Sequence, residues 1–139
     1  MSNISFTIAT VCYNAANTIE RTLHSVGAQD YPLVEHLIID GASKDATLNH
    51  LQLWEKQQEV MPTSHKWVVV SEPDKGLYDA MNKALRLATG DYVLFLNAGD
   101  CFHSPTTLSD IARSIQAAEY PDGQLPAVLY GDTDLVDND

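Results

Sequence analysis

Apolar residues in this chain fall in short runs, separated by stretches in which apolar positions recur every three or four residues. Ser5 to Val11 is a β-rich run that stops at Cys12-Tyr13-Asn14. Ile19, Leu23 and Val26 then recur at helical spacing, with Asn14 or Asn17 as candidate caps, Glu20 in the first turn and a stop near Gly27. His36 to Asp40 is a second strand, followed by Gly41-Ala42-Ser43-Lys44-Asp45 and a helix carrying Leu48, Leu51 and Trp54. Trp67 to Ser71 is a third, leading through Glu72-Pro73-Asp74-Lys75-Gly76 into a helix with Leu77, Met81, Ala84, Leu85 and Ala88 on its apolar side.

The unbroken apolar run Tyr92 to Leu96 predicts a central strand buried on both faces. Ser104-Pro105 then offers a cap and a first helical residue, with helix to about Glu119. After Tyr120-Pro121-Asp122-Gly123, Ala127 to Tyr130 reads as a fifth strand leading to Gly131-Asp132-Thr133-Asp134. Strands alternating with helices imply an α/β fold: a three-layer, mostly parallel sheet with right-handed crossovers.

The 139 residues fit one domain, and a chain of that size buries roughly 70% of its unfolded surface. With 19 acidic against 8 basic residues, the net charge of -11 argues against nucleic acid or an anionic membrane as the main partner. An acidic protein that handles a phosphate ligand needs a cation. Cys12 and Cys101 show neither a Cys-x-x-Cys nor a zinc spacing, which suits a reduced, cytosolic setting. No basic leader and no apolar run near ~20 residues is seen, so neither a signal peptide nor a membrane span is expected.

Each predicted strand delivers polar residues to one sheet edge, where open α/β sheets bind ligands: Thr10, Tyr13 and Asn14, then Asp40, then Glu72 and Asp74, then Asn97 and Asp100. Aromatic and hydroxyl groups can stack on and hydrogen-bond a base or sugar, and a carboxylate can accept from an imide nitrogen or a ribose hydroxyl. No Gly-rich phosphate loop is present, so a diphosphate would need a metal; Asp100 beside a nucleotide diphosphate suits Mg²⁺ or Mn²⁺. Asn97-Ala98-Gly99-Asp100 reads equally as a simple turn. Lys75 and Gly76 open a helix whose N-terminus favours an anion, or is only a helix start.

Four motifs carry a specific likeness: Thr10-Val11-Cys12-Tyr13-Asn14; Ile39-Asp40-Gly41-Ala42-Ser43-Lys44-Asp45-Ala46-Thr47; Ser71 to Gly76 with Ala80-Met81-Asn82-Lys83-Ala84; and Ala88 through Asp100. In this order the chain resembles the family 2 glycosyltransferases, most closely bacterial polysaccharide-biosynthesis members of colanic acid type. The resemblance implies a nucleotide-diphospho-sugar transferase (GT-A) fold, an inverting mechanism and a divalent metal. It implies that Thr10, Tyr13 and Asn14 line the nucleoside pocket, that Asp40 holds the base, that Asp74 and Lys75 lie near the ribose and diphosphate, and that Asp100 binds the metal. It also implies a nucleoside-diphosphate sugar donor (UDP or GDP), a glycan or lipid-linked acceptor, and a location in the cytoplasm or at the inner face of the membrane.

Two departures matter. The family's Asp-x-Asp motif is reduced to Asn97-Ala98-Gly99-Asp100, leaving Asp100 and the diphosphate to hold a metal. Family members also continue well past this length, into the acceptor-binding part, so residues 1–139 are expected to be a donor-binding domain. Inverting transfer needs a base for the acceptor's proton. Asp132 and Asp134 are the late candidates, but a solvated acidic tail explains Asp132, Asp134, Asp137 and Asp139 at least as well. The base is therefore expected beyond Asp139. Ser43, Asp45 and Thr47 read as helix-starting residues, and the five histidines as surface or packing residues. Two alternatives stand: a non-catalytic nucleotide-sugar-binding module, and a nucleotidyltransferase, which would want a Gly-rich, basic loop where Thr10 to Ala16 has neither.

Overall fold

A computed structural model describes residues 4–61 and 63–117. Within them, β1 (Phe6–Cys12), β2 (Val34–Asp40), β3 (Lys66–Ser71) and β4 (Tyr92–Phe95) form one parallel sheet in the order β3-β2-β1-β4. They alternate with α1 (Ile19–Gly27), α2 (Thr47–Glu59), α3 (Leu77–Leu87) and α4 (Thr107–Ala117). The expected helix end at Glu119, the fifth strand at 127–130 and the acidic stretch from Asp132 to Asp139 lie outside the described residues.

The chain runs outward from β1 to β3, then crosses back to β4 on the other side of β1. Right-handed crossovers therefore place α1 and α2 on one face and α3 on the other. The cores follow the period of two along each strand. Phe6, Ile8 and Val34 pack with Val26 of α1 and with Leu108, Ala112 and Ile115 of α4. Cys12 and Ile38 pack with Ile19, Leu23 and Leu51. The opposite face sets Ala9, Leu37 and Ile39 against Ala80 and Ala84 of α3.

Four expectations need correction. Among the described residues β4 pairs with β1, and Tyr92 to Phe95 are half-buried or exposed rather than buried on both faces; an apolar run says that a strand seeks cover, not what covers it. On α3 the buried residues are Ala80 and Ala84, while Leu77 and Leu85 stay about half exposed. Small side chains let this helix sit close to the sheet, and apolar spacing does not tell which flank of a wide stripe faces down. Asn14 does not cap α1; its Oδ1 accepts from the Lys44 amide at 2.8 Å, and α1 begins after Thr18 without a side-chain cap. At α4, Ser104 turns the chain, its Oγ accepting from Thr106 N at 3.2 Å, but the helix starts at Thr107 and its exposed amides are met from afar: Gln29 Oε1 accepts from Leu108 N at 3.1 Å.

The turn before β4 explains the Thr89-Gly90-Asp91 motif. Thr89 donates to Glu35 through both its amide and its hydroxyl, Gly90 N donates to Thr7 Oγ1, and the Asp91 carboxylate accepts from Ser5. A Cβ on Gly90 would lie 2.5 Å from Thr7 N, so only glycine lets the two strands approach.

Candidate nucleotide-sugar site

Parallel pairing with one register brings Cys12, Asp40 and Ser71 side by side at the ends of β1, β2 and β3. Asp40 is wholly buried. Its Oδ1 accepts from Ser43 Oγ at 2.5 Å and Cys12 Sγ at 3.4 Å, and its Oδ2 from Ser43 N at 2.9 Å and Ser71 Oγ at 2.8 Å. Burial alone would raise its pKa, but these donors outweigh it and hold the carboxyl below its ordinary range. The Cys12 thiol is pushed up by burial first and by Asp40 second, so it stays protonated and donates. Asp40 is thus the knot of the strand ends.

Above this knot the first two strand-end loops are laced together. Asn14 N donates to Ser43 Oγ at 2.8 Å, Ala15 N to Thr47 Oγ1 at 2.8 Å and Ala16 N to Asp45 Oδ2 at 3.2 Å. Asp45 also accepts from the Thr47 amide and hydroxyl at the start of α2; the Thr47 hydroxyl is the main cause that holds its carboxyl low. Asn14 and Ala42 both adopt left-handed backbone, with φ of 49° and 61°. For alanine that conformation costs about 1 kcal/mol, which the surrounding hydrogen bonds sustain.

These loops, together with those after β3 and β4, enclose an open cleft of about 910 Å³ at the carboxyl edge of the sheet. It lies where the strand order reverses, the usual ligand crevice of such sheets. Of the residues singled out in the sequence, Tyr13, Asn14, Asp74, Gly76 and Asn97 line it. Tyr13 is 57% exposed and presents its ring. Gly41, Ala42, Lys44, Thr18 and Leu77 also line the cleft and were not foreseen, since none of them is a distinctive residue type at its place in the chain.

The other expected residues sit elsewhere. Thr10 is fully buried, two positions short of the strand end, with Oγ1 2.7 Å from His36 Nε2; strand alternation turns it inward, away from the cleft. Glu72 and Lys75 are exposed beside the cleft but do not line it. Glu72 pairs with Lys83 Nζ at 3.1 Å, and that ammonium also donates to Pro73 O at 3.0 Å, bracing the loop before α3. Asp100 is exposed at the end of a turn whose backbone is pinned to α1: Thr22 Oγ1 donates to Asp100 O and accepts from Gly99 N, both at 2.8 Å. Asn97-Ala98-Gly99-Asp100 is a turn, with Gly99 at φ 99°, in which Asn97 lines the cleft and Asp100 is exposed. The late acidic residues weighed for the general base, Asp132 and Asp134, and the chain's last residue Asp139, beyond which that base was expected, lie outside the described residues.

The family model described as glycosyl transferase family 2 matches residues 7–137. The chain belongs to that family. It is 42% identical over 93 residues, 67% of its length, to the putative teichuronic acid biosynthesis glycosyltransferase TuaG of Bacillus subtilis. It is 31% identical over 127 residues, 91% of its length, to a PGL/p-HBAD biosynthesis glycosyltransferase of Mycobacterium bovis. It covers 35% and 46% of those two relatives respectively, and 38% of the first mycobacterial relatives it matches. Among solved structures it superposes on the mannosyltransferase PcManGT of Pyrobaculum calidifontis, in complex with GDP-Man and Mn²⁺, with a TM-score of 0.71 and 27% identity over 85% of this chain and 33% of that one. It superposes on S. aureus TarS 1-349 in complex with UDP-GlcNAc with a TM-score of 0.68 and 27% identity, over 81% of this chain and 31% of that one. The α/β sheet with its crevice is the GT-A arrangement of these glycosyltransferases. No helix among the described residues is long and apolar enough to cross a membrane.

Proposed function

We propose that residues 1–139 form the donor-binding domain of an inverting glycosyltransferase that takes a sugar from UDP or GDP and passes it to a glycan or lipid-linked acceptor. The observation that carries this reading is the cleft itself: loops from all four described strands converge on it, in a family 2 chain, bringing Tyr13, Asn14, Lys44, Asp74 and Asn97 together, with Asp100 exposed in the same turn as Asn97. Tyr13 supplies an aromatic face, Asn14 and Asn97 supply amides, and Lys44 is a cation in an acidic chain. That two neighbours hold GDP-Man with Mn²⁺ and UDP-GlcNAc supports the donor class. Acceptor binding would belong to chain beyond that matched here, in keeping with the 35–46% of the relatives that this chain spans.

Among the described residues no group of three His, Cys, Asp or Glu could hold a metal ion. The Asp100 carboxylate and the Asn97 carboxamide, three positions apart in one turn, nonetheless offer hard oxygens, which suit Mg²⁺ or Mn²⁺ held jointly with a diphosphate. When bound there, such a cation neutralises charge on the leaving diphosphate. The residues of the chain bind and orient: Tyr13 and Asp74 hold the nucleoside, and the pinned turn fixes Asp100. In the transfer, the acceptor hydroxyl oxygen bonds to the anomeric carbon, the carbon–oxygen bond to the diphosphate breaks, and the hydroxyl proton passes to a base. We assign that base to the acceptor-binding part of the enzyme, past Asp139, rather than to any described residue.

Isothermal titration calorimetry of UDP and GDP, with and without Mn²⁺, tests the reading. One nucleotide should bind in a Mn²⁺-dependent way, and Asp100→Ala should weaken it at least about tenfold, the loss of one charge-assisted contact. Absence of binding to both nucleotides would sink the proposal.

A further inference from the structure

The turn after β4 is fastened through its backbone to one face of α1. Thr22 of that helix is fully buried, and its Oγ1 donates to Asp100 O at 2.8 Å, has Asn97 O at 3.4 Å and accepts from Gly99 N at 2.8 Å. Thr18 and Ser25 lie four positions before it and three after it, on the same side of the helix. Ser25 Oγ accepts from Phe102 N at 2.7 Å, and a Cβ built on Gly99 would lie 3.4 Å from Thr18 Cβ. Among the described residues, by contrast, no hydrogen bond or ion pair engages the Asn97 carboxamide or the Asp100 carboxylate. One hydroxyl, donor and acceptor at once, thus fixes the backbone from which both side chains depart.

Resting on the reading above that Asp100 and a diphosphate share a divalent cation, we infer that Thr22 is the positioning residue on which the cation dependence of nucleotide binding rests. The affinity of an oxygen site for a hard cation is set by the charge of its ligands and by its rigidity. Asn97-Ala98-Gly99-Asp100 offers a single carboxylate, so rigidity has to make up for charge. A turn left free in the empty protein would have to be ordered at the moment of binding, which weakens the complex. Thr22 removes that cost beforehand. It neither lines the cleft nor has any exposed surface, so it acts only through the turn. Tyr13 and Asp74 stand on the loops after β1 and β3, which Thr22 does not fasten, and the part of nucleotide binding that needs no cation is independent of it.

Calorimetric titrations of UDP and of GDP, each with and without Mn²⁺, are run on the 139-residue chain and on Thr22→Val, Thr22→Ser and Gly99→Ala, with circular dichroism to establish that each variant is folded. In the parent, Mn²⁺ should raise the affinity for at least one nucleotide by about tenfold or more. Thr22→Val keeps the shape and removes the hydroxyl; it should cut that enhancement about tenfold while metal-free affinity stays within about threefold. Thr22→Ser keeps the hydroxyl and should retain most of the enhancement. Gly99→Ala, strained at φ 99°, should shrink the enhancement too, and it decides the matter if Thr22→Val fails to fold. Full enhancement in the deciding variant, or an equal loss with and without Mn²⁺, would overturn this inference and leave the cation reading intact. A parent that binds nucleotide without responding to Mn²⁺, or that binds none, would overturn that reading and this inference with it.

Discussion

His36 is a strand residue of β2, buried, with Nε2 against Thr10 Oγ1. Burial first, and repulsion from His65 second, push its pKa down to about 3 from 6.5. The folded value thus lies below the unfolded one, so unfolding takes up a proton below pH 6.5. Stability should be insensitive to this group above that pH and should fall by about 1.4 kcal/mol per pH unit as the pH drops from there towards about 3. Urea denaturation across that range should give this slope, and His36→Gln, which keeps a polar partner for Thr10 but does not titrate, should flatten it by one proton's worth. An identical slope in the variant would place the proton uptake elsewhere. The sequence marked His36 only as surface or packing, because burial of one imidazole depends on which strands flank it.

At the level of elements, the close pairing of β1 with β4 depends on Gly90, whose amide meets Thr7 Oγ1 while Thr89 and Asp91 fasten the turn on either side. Gly90→Ala pushes a methyl group into backbone atoms of Phe6 and Thr7 that cannot swing away. It should destabilise the domain by about 1–3 kcal/mol, the usual cost of overpacking, read as a lower denaturation midpoint at unchanged m-value. No loss of stability would mean that β4 can shift outward. The β–loop–α rhythm that brings these elements about was legible from periodicity alone, and the starts and ends of α1 and β3 fell within about two residues of expectation. The capping of α4 by Gln29 was not, since a cap that reaches across about eighty positions leaves no local trace.

For the whole molecule, the charge of -11 opposes a diphosphate that has no metal to neutralise it. Metal-free nucleotide binding should therefore strengthen as salt rises from ~10 to ~150 mM, where the screening length falls from about 30 to about 8 Å, while binding with Mn²⁺ should respond much less. Titrations at the two ionic strengths check this, and weaker metal-free binding at higher salt would show that Lys44 and its surroundings dominate locally. By itself the sequence determined the class of fold, the edge of the sheet where chemistry would gather, and the family, because these follow from hydrophobic period and from motifs whose spacing is local. Only the tertiary structure decided the order β3-β2-β1-β4 of the described strands and the fate of each polar strand end. Thr10 turned into the core, Asp40 was consumed by Ser43, Ser71 and Cys12, and Asp74 was left with an oxygen over Gly41. Whether a carboxylate is spent or available depends on the donors that neighbouring strands bring beside it, and register across strands is not written in any one of them.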